Sequence, residues 1–153
     1  MRIIALAVAV VLSGSIAHAS AHGERAVTIA SASDASPGVL APAARKRHGA
    51  IVRQAMLDVL RRAGVSVGHA GARQLDVAVI AWRIVPRAGT TDVTAELRVV
   101  VCDGHGKMLA IVSGRATVSG SSAQLTSLRE QALAEAVGGM TRTLRSQLAP
   151  AVG

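Results

Sequence analysis

The sequence predicts an α+β fold, in which a mixed or antiparallel sheet of four to five strands carries two helices on one face. The expected order is β-α-β-β-β-β-α. Two segments repeat apolar residues at three- and four-residue spacing, as amphipathic helices do. Several short runs between and before them alternate apolar and polar residues, which is typical of half-buried strands. Two helices and an alternating sheet together predict a two-layer domain.

The first half of the domain is predicted to hold a strand, a helix and a short second strand. Residues 25–32 form the strand, and residues 33–38 form a turn cluster. The helix begins after Pro42 and ends at Gly64, because glycine readily adopts the positive φ that closes a helix. Residues 65–67 form the short strand. The apolar stripe of the helix consists of Ile51, Val52, Ala55, Met56, Val59, Leu60 and Ala63.

Three longer strands are predicted to follow. The first covers residues 75–85, with Trp82 facing away from the apolar stripe of residues 75–79, and Pro86 ends it before a loop. Residues 93–102 and 107–118 then form a β-hairpin. Asp-Gly-His-Gly at residues 103–106 supplies its turn, because these residue types favour tight turns.

The last predicted element is a second amphipathic helix. Ser127 and Glu130 have the spacing of a capping box, which predicts the start of this helix. The glycine pair at residues 138–139 lies inside the helix, where it introduces a kink or lets another backbone approach closely. Pro150 ends the helix.

The N-terminus has the composition of a secretory signal peptide. Arg2 precedes an apolar run at residues 3–12, and Ala-His-Ala at residues 17–19 matches a small-x-small cleavage signal. Ten apolar residues are too few to span a bilayer, which needs about 20. We therefore predict a signal peptide at 1–19, cleaved after Ala19 or Ala21, and a periplasmic or secreted product with no transmembrane segment.

The rest of the chain divides into three parts. Residues 20–24 are predicted to be a flexible mature N-terminus, residues 25–149 a single α/β domain, and residues 150–153 a C-terminal tail. Cys102 is the only cysteine, so it cannot form an internal disulfide. Its thiol is either a small buried group or, in an oxidising compartment, a reactive thiol or half of an intermolecular disulfide.

Charge and aromatic content restrict the partners. The formal net charge of +8 favours anionic partners. Export argues against nucleic acid, and with Trp82 as the only aromatic residue the chain cannot build a platform of stacked rings. The basic residues before and along the first helix are predicted to contact an anionic partner: Arg45, Lys46, Arg47, Arg53, Arg61 and Arg62.

The order of elements resembles a domain of bacterial envelope proteins. Residues 25–30 with the following Asp34-Ala35-Ser36, the helix ending at residues 57–64, and the strand at residues 75–82 carry the resemblance, as does the hairpin at residues 95–116. The chain is similar over these stretches to penicillin-binding-protein activator lipoproteins and to the curli-secretion channel lipoprotein. The resemblance implies a non-catalytic module that binds another envelope protein.

No catalytic motif is present, and no cofactor is expected. His48, His69 and His105 lack the i, i+4 spacing that places two imidazoles on one metal. His22 is the one predicted metal ligand, because cleavage would place it at or near a free N-terminal amine that can bind Cu(II) or Ni(II).

The sequence therefore predicts an exported, non-enzymatic domain that binds an envelope protein or an anionic envelope component. Its contact surface is either the open sheet face or the basic helix, and self-association is left open. Two alternatives are an N-terminal Cu(II)/Ni(II)-binding periplasmic protein and an enzyme whose site is not recognisable from sequence. Asp92, Asp103 and His105 are the scattered residues on which that enzyme would depend.

Overall fold

The computed structural model describes residues 26–69 and 71–148. The predicted signal peptide and its cleavage sites, the mature N-terminus with His22, and the C-terminal tail with Pro150 lie outside the described residues. Within those residues, no helix is long and apolar enough to cross a membrane.

The predicted α+β fold is confirmed. A mixed sheet has the strand order β1-β2-β3-β4, with β1 parallel to β2 and the other neighbours antiparallel. The strands are β1 Val27–Asp34, β2 Arg73–Arg87, β3 Thr90–Asp103 and β4 Met108–Gly120. The helices are α1 Pro42–Arg62, α2 Leu125–Gly139 and α3 Thr141–Leu148, with a single 3-10 turn, Ser122–Gln124, before α2.

Helix α1 follows its sequence signals closely. Pro42 stands at the start, where its missing N–H costs no hydrogen bond. Gly64 has a φ of 72° and follows the last turn, as predicted. Val52, Met56, Val59 and Leu60 of the predicted stripe are buried against the sheet.

The core lies between the helices and one face of the sheet. Alternate residues of β3 point into it and are completely buried, as the alternating pattern predicts: Val93, Ala95, Leu97, Val99 and Val101. Helices α1 and α2 pack side by side over this face. The described residues leave the opposite face of the sheet without a covering element.

Three local predictions are wrong. The short strand predicted at residues 65–67 is a single bridge between Val27 and Val67. The loop predicted after Pro86 is a tight turn, because β2 and β3 stay paired as far as Arg87 and Thr90. Ser127 does not cap the final helix, because Ser121 begins the turn earlier by accepting a hydrogen bond from the Ala123 N–H.

The final helix is two helices rather than one. The break falls at Met140, directly after the glycine pair at residues 138–139. A β-carbon added at either glycine would meet no atom within 4 Å. The glycine pair therefore does not make room for another backbone. The structure confirms the other alternative, that the pair interrupts the helix.

Candidate functional site

A buried polar cluster lies where β1 ends beneath α1. Its centre is Asp34, whose side chain is fully buried and accepts four hydrogen bonds. The donors are the Ser36 backbone N–H at 3.0 Å, the Ser36 hydroxyl at 2.5 Å, His48 Nδ1 at 2.6 Å and Trp82 Nε1 at 3.2 Å. A carboxylate can be buried this completely only when hydrogen-bond donors of the protein replace the water that it loses. The cluster joins β1, α1 and β2.

Two β-bulges bring Asp34 and Trp82 to the same face. The register shifts between Ile29 and Ser31 on β1, and between Val79 and Ala81 on β2. Each bulge moves the following residues to the opposite face of the sheet. Trp82 therefore lies opposite the buried Ala95, on the helix-covered face. The prediction that Trp82 faces away from the stripe of residues 75–79 is wrong, because strict alternation stops at the bulge.

The cluster continues to a third layer on the helices. The His48 and Trp82 ring centroids are 5.1 Å apart at an angle of 52°, and the Arg129 guanidinium carbon lies 5.8 Å from the Trp82 centroid. This places a cation over the aromatic face, a favourable arrangement. Trp82 is half-buried and links the sheet to both long helices.

The electrostatics of Asp34 favour its ionised form. Burial alone raises the pKa of the carboxyl, but the hydrogen bonds from Ser36, His48 and Trp82 outweigh burial and hold the pKa below its ordinary value of 3.8. The Ser36 hydroxyl donates to Asp34 rather than to His48, so the cluster does not align a nucleophile with its imidazole. The arrangement is suited to fixing α1 on the sheet.

Replacing Trp82 by phenylalanine tests whether this contact stabilises the fold. The variant keeps an aromatic ring but removes the N–H that reaches Asp34, and we expect a loss of about 1–2 kcal/mol in the free energy of unfolding. Urea denaturation followed by circular dichroism measures it. Ser31→Ala removes an exposed hydrogen bond to Asp76 and should change stability by less than about 0.5 kcal/mol. Equal stability of Trp82→Phe and the wild type would contradict the assignment.

The predicted anion-contacting residues do not form one free patch. Arg45 donates to the backbone carbonyls of Asp34, Ser36 and Gly38, and so holds the loop before α1. Arg53 Nη2 donates to the Ile29 carbonyl at 3.1 Å.

Of the other four residues predicted to contact an anionic partner, two form ion pairs and two do not. Arg47 pairs with Glu130 of α2 at 2.5 Å, and Arg61 pairs with Asp58 at 3.0 Å. Lys46 and Arg62 are exposed and have no partner among the described residues. Their role as anion contacts stays a prediction.

The residues that the enzyme alternative needs are far apart. Asp92 and Asp103 lie near opposite ends of β3, eleven residues apart, which corresponds to about 36 Å along a strand. Both carboxylates have local partners. Hydrogen bonds from the Ser119 hydroxyl and Arg87 lower the pKa of Asp92, and those from the Lys107 and His105 backbone N–H groups lower the pKa of Asp103. Asp103 and His105 thus build the hairpin turn.

The remaining candidate ligands are also separated. Across residues 26–69 and 71–148, no three His, Cys, Asp or Glu side chains come together in a way that could hold a metal ion. Cys102 is a buried free thiol. The structure thus favours the small buried role over the reactive one.

The uncovered face of the sheet is mixed in character. Its carboxylates are engaged: Asp76 accepts from Ser31, and Glu96 pairs with Arg115 at 3.3 Å. Exposed apolar side chains concentrate at the hairpin end of the sheet, where Met108, Leu109 and Ile111 are each about half exposed. Met108 and Ile111 lie on the uncovered face, and Leu109 lies at the register shift between them. An exposed apolar cluster on a folded domain is typical of an interaction surface.

In the part of the chain that the structure describes, fold and surface define a small α+β domain with one covered and one open sheet face. A candidate lipoprotein from Caulobacter crescentus CB15 has a similar structure, with a TM-score of 0.52 at 18% identity over 75% of this chain and 89% of that chain. A minor lipoprotein from Acinetobacter baumannii gives 0.53 at 10% identity over 82% and 94%. No family model and no curated protein matches the chain. The chain therefore shares the fold of bacterial lipoproteins.

Proposed function

We propose that this protein is an exported, non-enzymatic domain of the bacterial envelope that binds another envelope protein or an anionic envelope component. The observation that carries the proposal is the uncovered sheet face, which ends in the half-exposed side chains of Met108, Leu109 and Ile111. A domain that covers only one side of its sheet leaves a broad surface for a partner.

Three further observations support export and binding. The first 19 residues have the pattern of a signal peptide, and the net charge of +8 favours anionic partners. The fold is shared with bacterial lipoproteins. We include in this proposal a relationship to penicillin-binding-protein activator lipoproteins and to the curli-secretion channel lipoprotein. We also propose that the protein is located in the periplasm or outside the cell.

The geometry favours the sheet face over the basic helix as the contact surface. Arg45, Arg47, Arg53 and Arg61 already have partners within the domain, so a ligand would compete with those contacts. On the sheet face, Arg83 and Arg98 are exposed and have no partner among the described residues. We assign the helix a secondary role through Lys46 and Arg62.

Capture from an envelope extract tests this function. The exported protein, with its N-terminus determined by intact mass, is immobilised through a C-terminal tag, and bound envelope components are eluted by salt. We expect a specific component that is reduced in the double variant Arg83→Gln/Arg98→Gln and retained in the matched variant Lys46→Gln/Arg62→Gln. Salt elution is expected because mobile ions screen exposed charge contacts. Retention in the first variant and loss in the second would instead make the helix the contact surface.

A further inference from the structure

The hairpin between β3 and β4 carries three exposed apolar side chains close together in the sequence. Met108 is 57%, Leu109 49% and Ile111 53% exposed. Met108 lies opposite Cys102 and Ile111 opposite the half-buried Val100, on the face that the helices leave open. We call Met108, Leu109 and Ile111 the hairpin patch. Leaving these three side chains in water is unfavourable, so a partner that takes them up gains free energy.

Two exposed cations border the hairpin patch, and the Asp103 carboxylate lies beside them in the hairpin turn. Lys107 is exposed immediately before Met108, and Arg98 is exposed on the same face as Ile111. The Asp103 carboxylate accepts the N–H groups of His105 and Lys107, both at 2.9 Å. The hairpin patch is therefore an apolar surface whose border holds two exposed cations and one hydrogen-bonded carboxylate, on a chain of net charge +8. An apolar surface with this border complements a bilayer of anionic phospholipids, whose headgroups attract cations and whose acyl region accepts apolar side chains.

We propose that the hairpin patch docks this domain onto an anionic phospholipid bilayer. Met108, Leu109 and Ile111 enter the boundary between headgroups and acyl chains, while Lys107 and Arg98 contact lipid phosphates. This inference names the anionic partner in the proposed function and rests on that function.

A second copy of the chain is a poorer occupant of the hairpin patch than a bilayer. Strand β4 lies at the edge of the sheet, so antiparallel pairing of two β4 strands is the natural dimer. Self-association through the hairpin patch would bring the exposed cations Lys107 and Arg98 of one copy towards the same cations of the other. Like charges brought together repel each other. The charge of the border thus favours an anionic surface over a copy of itself.

Vesicle sedimentation with the exported, mature protein tests the proposal. The probes are vesicles of phosphatidylglycerol with phosphatidylethanolamine, and vesicles of phosphatidylcholine alone. We expect binding to the anionic vesicles that weakens as salt rises, and little binding to the neutral ones. Met108→Thr/Leu109→Thr/Ile111→Thr should weaken binding at least about tenfold. Lys107→Gln should weaken it about fivefold.

Matched variants exclude general effects of charge and hydrophobicity. Ile84→Thr/Val85→Thr removes exposed apolar side chains at the opposite end of the sheet, and Arg142→Gln removes an exposed cation from α3. Both should bind anionic vesicles as the wild type does. Equal binding of the triple hairpin variant and the wild type would overturn the proposal. Failure of the wild type to bind anionic vesicles would also overturn it.

Two further outcomes separate this inference from the proposed function. If the protein forms a dimer that the triple hairpin variant abolishes, and does not bind vesicles, the hairpin patch is a self-association surface and the inference is wrong. If vesicles are not bound but the capture experiment still yields an envelope protein, the lipid inference fails and the proposed function stands. Failure of the capture experiment together with vesicle binding would leave lipid as the partner.

Discussion

Asp34→Ala is expected to lower the free energy of unfolding by about 3–5 kcal/mol, because it breaks a buried charged network from its centre. The Asp34 side chain is fully buried and accepts hydrogen bonds from Ser36, His48 and Trp82. Its removal leaves the buried His48 without the carboxylate at 2.6 Å and leaves donors that water cannot easily reach. Urea denaturation at neutral pH measures the loss.

An exposed carboxylate provides the control for Asp34→Ala. Asp58 pairs with Arg61 on the surface of α1, and exposed i, i+3 pairs contribute little to stability. Asp58→Ala should therefore change the free energy of unfolding by less than about 0.5 kcal/mol. If Asp34→Ala costs no more than Asp58→Ala, the cluster does not hold the two layers together.

The cost of Asp34→Ala should depend on pH in one direction. The folded protein holds the pKa of Asp34 below its ordinary value of 3.8, so the fold favours the ionised carboxylate. The stabilisation is present above that ordinary value and is lost as pH falls through the folded pKa. The stability difference between wild type and variant should thus shrink below about pH 4. Asp92 and Asp103, whose pKa values are also lowered, are present in both proteins and cancel in the comparison. A difference that grows on acidification would contradict this account.

The sequence predicts well the elements whose signals are local. Gly64 ends α1 because its own φ is positive, and the alternation of β3 identifies the core face without knowledge of any partner strand. The turn at residues 103–106 likewise depends on its own residues, since Asp103 accepts the N–H groups of the turn it begins. Short-range chemistry therefore predicts which segments form helices, which form strands, and the broad order of these elements along the chain.

The polar cluster could not be predicted from the same signals. Its geometry depends on bulges after Ile29 and after Val79, and a bulge is a relation between two paired strands rather than a property of one segment. Without the bulges, alternation sends Trp82 to the open face, which is what the sequence predicts. Asp34-Ala35-Ser36 does contain a local signal, because Asp readily accepts the N–H two residues on. That signal indicates a turn but not a buried centre.

The anion-contacting residues show a related limit. Arginines on the polar side of a helix are expected to face solvent, yet Arg45 and Arg53 reach backbone carbonyls of β1 and of the loop that follows it. Those carbonyls come within reach only after α1 has docked on the sheet. The charge pattern of the sequence therefore indicates which side of α1 is polar, while tertiary packing decides which cations remain free.

Gly49→Ala is expected to destabilise the fold by about 2–3 kcal/mol, although the same change elsewhere on a helix stabilises it. Gly49 is buried where α1 crosses β1, and an added β-carbon would lie 2.7 Å from the Ala32 carbonyl oxygen. Ala32 belongs to the strand that ends at Asp34, so the backbone cannot retreat without moving the carboxylate from His48. Urea denaturation measures the loss, and the near-ultraviolet signal of Trp82, the only tryptophan, reports whether the cluster is displaced.

Gly138→Ala supplies the matched control, since it makes the same chemical change near the end of α2. A β-carbon at Gly138 meets no atom within 4 Å, so alanine adds helix propensity without a clash. We expect stabilisation of about 0.5–1 kcal/mol. If Gly49→Ala lowers the free energy of unfolding and Gly138→Ala raises it, close contact between α1 and β1, rather than helix propensity, explains why glycine occupies position 49. The contact at Gly49 also sets the distance between Asp34 and His48, which form a 2.6 Å hydrogen bond. If both substitutions stabilise the protein, the cluster must tolerate a wider gap between helix and sheet than that hydrogen bond implies.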